Sequence, residues 1–491
     1  MPSDRSGRIK IQACSRVRLV TVCLTVLLLS FPLTAAQLHW EALPPLPNAD
    51  GVAGPFVGVH GDALIVAGGA NFPKPVWETE KTFYDDIYVL LREMKDGKTV
   101  CRWVTGFHLD RPIAYGASVS TDRGVVCIGG NDASRVYADV FLLRWNPETQ
   151  SVERESLPSL PGPCSNACAA VIGSRVYLAG GTSGLDLKTA VSDFLCLDLG
   201  SAHPVWECLP SCPGPSRAFA IAAAQNNGVD DCVYLFSGRR VNENGETEFL
   251  KDSWEFNPAR YHGNDGRVSW RHRADAPRCV MAGTGITIGQ SHIFILAGAD
   301  EKHFHEADAL KDAHPGFPKG AFAYHTITNT WISAGATPAN QVTTTAVRWG
   351  RDTVKDPIIL ASGEMRPRVR TPKVWRITPI PGAEHFGRAD FSVLGLYLAG
   401  MLLVGVFFTF RNKNADDFFR GGQRIPWFVA GMSIFATMLS SITFMAIPAK
   451  SYATDWMYFL VNMTAVAIAP VVILFFLPFF LADPFQLFSQ F

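Results

Sequence analysis

The sequence lacks an excess of charge of either sign, since its 491 residues contain 44 lysines and arginines and 44 aspartates and glutamates. Without a basic surplus the chain has no electrostatic signature of nucleic-acid binding, and we expect no nucleic-acid partner. Charged residues are also scarce, at 18% against 48% hydrophobic residues. This balance is too apolar for an ordinary soluble protein and excludes a disordered one. It predicts that part of the chain lies in a lipid bilayer.

Cysteine is uncommon, and its spacing does not indicate a zinc site. Two of the eleven cysteines lie within the first 36 residues, and the other nine include two CxxxC pairs, Cys164/Cys168 and Cys208/Cys212. Neither pair has two histidines nearby, as a zinc site of this type needs. We therefore expect no metal site and no cofactor in the exported part of the chain.

Residues 1–36 have the order of a secretory signal peptide. Basic residues precede an apolar run at 19–31, and the small residues Thr34 and Ala36 stand three positions and one position before a cleavage point at Gln37. The short apolar run favours cleavage. An uncleaved anchor helix is the alternative.

Three uncharged runs occupy the last hundred residues, at 391–410, 427–448 and 457–482. Each is long enough to cross a hydrocarbon layer about 30 Å thick. The loop at 411–424 contains four basic residues, whereas the loop between the second and third runs contains only Lys450. The positive-inside rule therefore predicts that residues 411–424 are cytoplasmic.

This topology agrees with the signal peptide. If the first span runs from outside to inside, residues 37–380 must be exported, with residues 381–390 as a linker to the membrane. We expect a membrane protein of the inner membrane with its folded domain on the periplasmic or extracellular side.

Residues 37–380 contain an internal repeat. An apolar segment that ends in a small pair recurs six times at spacings of 51 to 65 residues: ALIVAGG, GVVCIGG, RVYLAGG, CVYLFSG, HIFILAG and PIILASG. A run of small residues precedes each segment, and a tryptophan strand closes most units. Four short strands repeated six times predict an all-β, six-bladed propeller of the kelch type. A β-sandwich is the alternative, but it does not explain six coordinated repeats.

The sixth unit lacks its fourth strand, because after residue 379 the chain proceeds to the membrane. A matching strand, LHWEALPPLP at 38–47, stands at the other end of the domain. We predict that the strand of Trp40 pairs with the strand of Val374 and Trp375. This pairing closes the ring and removes open sheet edges.

Four segments resemble the N-acetylneuraminate epimerases, or sialic acid mutarotases, and their cyclically permuted relatives: GGANFP (68–73), KTFYDDIYVL (81–90), HPGFPKGAFAYHTITNTWISAG (314–335) and SGEMRPRVRT (362–371). The resemblance covers about 340 residues. It implies an isomerase in which a glutamate and an arginine six positions later form the active pair. Here these residues are Glu364 and Arg370.

The chemistry of mutarotation suits this pair. Opening and reclosing a cyclic hemiketal requires a proton to leave the anomeric hydroxyl and another to reach the ring oxygen, and a carboxylate such as Glu364 can carry it. Arg370 offers a forked donor for the carboxylate of a sugar acid. The alternative is a surface salt bridge of little consequence.

Other polar residues follow a glycine pair or lie near a small-residue strand, where side chains reach the central channel. These weaker candidates for substrate binding are Asn71, Arg111, Asn131, Arg217, Arg239 and Arg240.

Residues 418–456 resemble the start of the sodium:solute symporter family, whose members include sialic acid transporters. The resemblance implies that residues 440–443, which precede Pro448, form an unwound segment facing substrate and sodium. A Ser/Thr-rich packing face is the alternative. Such transporters need more than ten spans, so we expect sodium to bind only if the rest of a symporter is present.

Three functions stay open at this point. The first is an exported mutarotase acting on a sugar acid and anchored to the bilayer. The second is the N-terminal portion of a propeller–symporter fusion for sodium-coupled uptake, and the third is a non-catalytic sugar-binding propeller.

Overall fold

The computed structural model describes residues 37–95, 98–261, 269–338, 340–380, 387–411, 425–438, 441–453 and 456–476. Between Gln37 and Ile380 the chain forms six four-stranded antiparallel sheets, which are the blades of a propeller. The predicted six-bladed, all-β fold is therefore confirmed.

The strands follow one another along the chain in blade order. After β1 (Gln37–Leu43), blade 1 contains β2 (Phe56–His60), β3 (Ala63–Ala67), the short β4 (Ala70–Asn71) and β5 (Thr82–Phe83), β6 (Asp86–Lys95) and β7 (Lys98–His108). Blade 2 contains β8 (Ala117–Thr121), β9 (Gly124–Ile128), β10 (Val140–Asn146) and β11 (Ser151–Leu157). Blade 3 contains β12 (Cys168–Ile172), β13 (Arg175–Ala179), β14 (Phe194–Asp198) and β15 (Trp206–Leu209).

The second half of the ring repeats this plan. Blade 4 contains β16 (Ile221–Asn226), β17 (Asp231–Val241), β18 (Thr247–Phe256) and β19 (Trp270–Arg273). Blade 5 contains β20 (Met281–Ile288), β21 (His292–Ala299), the one-turn helix α1 (Ala307–Leu310), β22 (Gly320–His325) and β23 (Thr330–Ala336). Blade 6 contains β24 (Ala346–Arg348), β25 (Ile358–Ala361), the hairpin β26 (Glu364–Arg366) and β27 (Val369–Arg370), and β28 (Val374–Ile380).

The N-terminal strand β1 is the outer strand of blade 6. It pairs antiparallel with β28, with Trp40 opposite Ile377 and Ala42 opposite Trp375. The predicted closure of the ring is confirmed. Because the first and last parts of the domain share one sheet, the propeller has no open blade at the junction.

Apolar clusters lie between successive blades all the way around the ring. The second strand of a blade is covered on both faces, and β3 and β9 are accordingly buried at every residue. Phe56 of blade 1 meets Phe141 of blade 2 edge to face at 5.6 Å, and the sixth interface joins blade 6 to blade 1 through Trp349 and Val57. Burial on both faces explains why these strands are continuous apolar runs in the sequence.

In four of the six blades a repeated tryptophan links the blade to the one before it. The indole N–H of Trp103 donates to the Pro44 carbonyl at 3.0 Å, that of Trp206 to Pro158 at 2.8 Å and that of Trp270 to Pro210 at 2.8 Å. Trp331 makes the equivalent bond to Ala274 at 2.9 Å. The tryptophan of one blade thus bonds to the turn that follows the outer strand of the preceding blade.

A closed ring of backbone hydrogen bonds surrounds the propeller axis. Near the start of each inner strand, one residue has a left-handed backbone, with φ between 52° and 65°, and donates its N–H to the equivalent carbonyl of the preceding blade at 2.7 to 2.9 Å: Gly54, Tyr115, Asn166, Phe219, Ala282 and Thr343. We call these six residues the axial ring. It separates two cavities of about 390 Å³ each, one lined by the small residues of the inner strands and one on the other side of the ring.

The C-terminal part of the chain is helical where it is described. Its helices are α2 (Arg388–Arg411), α3 (Trp427–Met438), α4 (Ser441–Ala453) and α5 (Met457–Val471), followed by a π-helical turn at Val472–Phe476. Among the described residues, one segment, Asp390–Phe410, is long and apolar enough to cross a membrane. Helix α2 begins at Arg388, so the last residues of the predicted 381–390 linker are helical.

The second and third predicted spans stay predictions. Residues 439–440, which lie within 427–448, and residues 477–482, which end the third span, fall outside the described residues, as do the predicted signal peptide at 1–36 and the predicted cytoplasmic loop from residue 412 to 424. The prediction of an unwound segment at 440–443 is wrong for residues 441–443, which are helical, as is Pro448; all four lie in α4.

Candidate functional site

A cleft of about 390 Å³ opens on the side of the axial ring away from the small-residue channel. Its floor is formed by ring residues, and its walls come from the segment around Phe72 and Lys81 in blade 1, the hairpin β26–β27 in blade 6, and residues 300–319 between β21 and β22. We call this last segment the blade 5 insertion. A volume of this size is in the range of small-molecule sites.

The blade 5 insertion is held against the neighbouring blades by one aspartate. The Asp312 carboxylate accepts a hydrogen bond from the Arg366 guanidinium at 2.7 Å and one from the Trp77 indole at 3.3 Å. The backbone N–H of Phe317 donates to the Met365 carbonyl at 3.2 Å. These contacts place Phe304, His314 and Phe317 in the wall of the cleft.

Glu364 and Arg370 face each other across the hairpin β26–β27. They are register partners, and Arg370 Nη1 lies 3.1 Å from Glu364 Oε1. The two side chains are 15% and 3% exposed for Glu364 and Arg370, respectively. The hairpin turn, with Arg368 at φ 66°, also directs the Arg368 backbone N–H to Glu364 Oε1 at 2.7 Å. The structure thus brings the two predicted residues together in the cleft lining, with Glu364 held by one hydrogen bond and one ion pair.

The arginines of this hairpin pack against one aromatic ring. The guanidinium carbons of Arg368 and Arg370 lie 4.1 and 4.9 Å from the centre of the Phe72 ring. Arg368 Nη2 donates to the Thr79 carbonyl at 2.9 Å, whereas Nε of Arg368 and both Nε and Nη1 of Arg370 are buried without a hydrogen bond. The contact of Arg370 Nη1 with Glu364 is therefore an ion pair rather than a well-directed hydrogen bond.

The cleft favours anions. Its described lining contains five cationic side chains, Lys81, Arg239, Lys302, Arg368 and Arg370, against the two acidic side chains Asp300 and Glu364. Burial, with His303 and Arg366 nearby, lowers the pKa of His314 below its usual value, which favours its neutral form. Cations that line a concave, partly dry site attract negatively charged ligands strongly.

Of the weaker candidates, Arg239 and Asn131 line the cleft. Asn131 already donates from its amide to the Asp132 carbonyl at 2.9 Å. Arg239 lies between two aromatic rings, with its guanidinium carbon 4.7 Å from the centre of Phe219 and 4.8 Å from that of Phe304.

The other candidates are not among the described residues of the cleft lining, and their polar groups are occupied elsewhere. Asn71 donates to the Asp50 and Gly51 carbonyls at 3.1 and 2.7 Å. Arg111 pairs with Asp139 at 3.1 Å.

Arg217 and Arg240 are likewise paired with carboxylates. Arg217 forms a two-pronged bridge to Asp252 at 2.8 and 2.7 Å, and Arg240 pairs with Glu248 at 2.6 Å. Arg217 and Arg240 therefore have structural partners within their blade. A binding role for Asn71, Arg111 or Arg217 stays a prediction.

Sequence reasoning missed several residues that line the cleft, including Phe72, Lys81, Tyr115, Asn166, Phe219, Phe304 and Arg368. The ring residues could have been found, because each stands just before a small-residue strand in every repeat. Phe304 of the blade 5 insertion carries no comparable signal, because it lies outside both the repeat and the segments that resemble the epimerases.

The described residues give little indication of a metal site. Burial raises the pKa of the Cys164 and Cys168 thiols to about 12, which disfavours the thiolate that zinc requires. One group, Asp85, Asp86 and His108, has ligand atoms within 4.8 Å of one another. Partly exposed acidic groups with one exposed histidine are common on surfaces, and nothing else at this place indicates an ion.

The fold and the repeat define a six-bladed propeller of the kelch type. A family model described as Kelch motif matches residues 163–213, and one described as Sodium:solute symporter family matches residues 418–485. A solved structure titled "Structure of YjhT" is similar to 69% of this chain and 98% of its own, with a TM-score of 0.50 and 15% identity, which shows the fold alone.

Curated relatives are more specific. The N-acetylneuraminate epimerase of Brucella suis is 35% identical over 133 residues, covering 23% of this chain and 32% of that protein. The epimerase of Salmonella enteritidis is 24% identical over 296 residues, covering 52% and 71%. The sodium/sialic acid symporter SiaT of Proteus mirabilis is 57% identical over 95 residues, 19% of each chain.

Both resemblances seen in the sequence are thereby confirmed. The chain combines an epimerase-like propeller with a symporter-like C-terminal segment. It spans about a fifth of the length of the symporters it matches and about a third of the Brucella epimerase.

Proposed function

We propose that the propeller is an exported, membrane-anchored mutarotase that interconverts the anomers of N-acetylneuraminate or a related sugar acid. The observation that carries this proposal is the Glu364–Arg370 pair, 3.1 Å apart, in the lining of an anion-favouring cleft. Relatives named N-acetylneuraminate epimerase support the substrate class.

Glu364 is the proton carrier in this mechanism. Its carboxylate takes the proton of the anomeric hydroxyl as the bond between the anomeric carbon and the ring oxygen breaks, and the ring oxygen receives a proton. The open-chain ketone then turns its carbonyl, and the reverse steps close the ring on the other face. No bond to the protein forms, and no oxidant or reductant is needed.

Arg370 is the charged partner of Glu364. The Arg370 guanidinium at 3.1 Å and the Arg368 N–H at 2.7 Å both contact Glu364 Oε1 and fix that carboxylate oxygen. The free oxygen is then the one available to the substrate hydroxyl. This arrangement orients the base before the substrate enters.

The test is anomer exchange by the full-length protein in detergent. We expect the rate of exchange between the two anomers of N-acetylneuraminate, followed by NMR, to rise above the spontaneous rate in proportion to the protein concentration. A rate that stays at the spontaneous value while the sugar acid still binds would contradict catalysis and leave a sugar-binding propeller.

Export and anchoring predict a defined mature chain. Mass spectrometry should find a mature N-terminus at Gln37, because Thr34 and Ala36 form the cleavage signal. A membrane-impermeant thiol reagent should label the exposed Cys208 from outside spheroplasts. It should not reach an Arg420→Cys variant in a Cys208→Ser background until the membrane is opened. Retention of Met1 would favour the uncleaved anchor, and outside labelling at position 420 would overturn the topology.

The symporter match supports a second function, in which the propeller supplies one anomer of the sugar acid to a sodium-coupled transporter. The observation that favours it is the 57% identity to a sodium/sialic acid symporter over 95 residues. Sodium-dependent uptake by cells that express the protein would support this function, and binding of sodium would then depend on the symporter-like part.

A further inference from the structure

Arg239 differs from the buried arginines Arg217, Arg273 and Arg370 in that no described carboxylate forms an ion pair with it. Its side chain is partly buried, its Nε is buried without a hydrogen-bond partner, and no described carboxylate or carbonyl pairs with it. By contrast, Arg217 pairs with Asp252 and Arg273 with Glu255. Burial lowers the pKa of the Arg239 guanidinium, while Cys279 and the nearby Glu364 partly offset this effect.

An uncompensated buried cation is costly, because the charge loses its hydration and gains no counter-charge. Here the guanidinium carbon lies over two aromatic rings, 4.7 Å from the centre of Phe219 and 4.8 Å from that of Phe304. Phe219 belongs to the axial ring and Phe304 to the blade 5 insertion, so two separate parts of the fold contact Arg239.

Arg370 is less suited to receive an incoming carboxylate. It is 3% exposed and already lies 3.1 Å from Glu364. A substrate carboxylate on Arg370 would compete with that ion pair and bring two negative groups together. The carboxylate and the reacting hydroxyl of a sialic acid are attached to the same carbon, so both must reach the cleft that Glu364 and Arg239 line together.

We propose that Arg239 binds the carboxylate of the sugar acid and thereby selects acidic over neutral sugars, while Arg370 positions Glu364. This inference rests on the proposed function and assigns its substrate recognition. A planar guanidinium held between two rings can offer a forked pair of donors without losing side-chain freedom on binding. The carboxylate of the sugar acid supplies the negative charge that Arg239 lacks among the described residues.

The test uses Arg239→Gln and Arg239→Lys in the full-length protein, with N-acetylneuraminate and its C1 methyl ester as probes. Arg240→Gln is the matched control, because Arg240 is the next residue on β17 and pairs with Glu248 outside the cleft. We expect Arg239→Gln to raise KM for the acid roughly 10- to 100-fold, as for loss of charge-assisted hydrogen bonds. Its kcat should change less than about threefold, because Arg239 holds the substrate equally before and during reaction.

The ester separates recognition of charge from a general defect. With the ester, Arg239→Gln and the unaltered protein should be nearly equal, and Arg240→Gln should match the unaltered protein with both probes. The KM of Arg239→Lys for the acid should lie between those of the unaltered protein and Arg239→Gln. This variant keeps the test valid if the glutamine variant does not fold. Equal losses for acid and ester, or no loss for the acid, would overturn the proposal.

Binding measurements distinguish this inference from the proposed function. If the unaltered protein shows no exchange, calorimetric titration with N-acetylneuraminate still reports whether Arg239→Gln weakens binding of the acid and Arg240→Gln does not. Weakened binding without catalysis would retain Arg239 as the carboxylate site of a binding protein.

Discussion

Replacing Glu364 by glutamine should lower kcat for anomer exchange by roughly 10²- to 10⁴-fold, the range typical of a lost general acid–base group. Glutamine keeps the size of the side chain and an oxygen to accept the Arg368 N–H, which lies 2.7 Å away in the structure. It cannot take up a proton. Because Arg239 is untouched, KM for the acid should change much less than kcat. NMR exchange kinetics at several substrate concentrations measure both constants.

The control for this variant is Glu248→Gln. Glu248 also pairs with an arginine, Arg240 at 2.6 Å, but is 38% exposed and outside the cleft lining. Its replacement should leave exchange unchanged. Near-normal exchange by Glu364→Gln would refute the proton-transfer role and return the Glu364–Arg370 pair to a structural salt bridge.

Arg370→Lys separates the two roles considered for Arg370. If Arg370 holds the substrate carboxylate, as the chemistry of mutarotation first suggested, the lysine variant should mainly raise KM, and only for the acid. If it positions Glu364, kcat should fall for both the acid and its ester, with a shift in the pH profile of kcat. We measure the pH profile of kcat because a variant that only loses stability would keep the same profile.

Replacing Arg217 by alanine should destabilise the propeller by about 3–5 kcal/mol, the cost of leaving one buried charge without its partner. The Arg217 side chain is 2% exposed and bridges Asp252 at 2.8 and 2.7 Å, with a further bond to the Ser237 carbonyl at 3.1 Å. Chemical unfolding followed by tryptophan fluorescence measures the change. Arg175→Ala, which breaks an exposed pair with Asp198, should cost no more than about 1 kcal/mol.

The effect of Arg217→Ala should depend on pH. Burial raises the pKa of Asp252, but the hydrogen bonds and charge of Arg217 outweigh it, so the pKa lies below its usual value. A lowered carboxyl pKa adds stability that is complete above the unfolded value of about 3.9 and is lost as the pH falls through the folded value. The difference in stability between the two proteins should therefore shrink below about pH 4. A difference that stays constant down to acid unfolding would contradict this assignment.

Much of the fold was predictable because its signals are local and repeated. The apolar runs ending in GG, SG or AG indicate second strands that are buried on both faces, and the tryptophans indicate outer strands. Closure by the strand of Trp40 was predictable because the sixth unit lacks its fourth strand, and the segment at 38–47 resembles that strand and belongs to no other unit. The Glu364–Arg370 pair came from the resemblance, and its short hairpin explains why residues six positions apart meet.

Other parts of the site could not be predicted this way. Arg217, Arg239 and Arg240 have similar local surroundings in the sequence, yet the first pairs with Asp252, the third with Glu248, and only Arg239 lies between Phe219 and Phe304. Which arginine acquires a carboxylate partner depends on side-chain direction along a strand and on the neighbouring blade. Neither is a property of the local pattern.

By itself, the sequence determined the number of blades, the closing strand, the apolar C-terminal runs and the two resemblances, since each rests on short-range pattern or direct similarity. Tertiary structure alone decided the axial ring, the cleft above it and the isolation of Arg239. The ring joins residues up to 289 positions apart, Gly54 and Thr343, through one hydrogen bond of 2.7 Å. Such contacts form only when all six blades pack around one axis, and the residues that meet there are chosen by the closed geometry rather than by their neighbours in the chain.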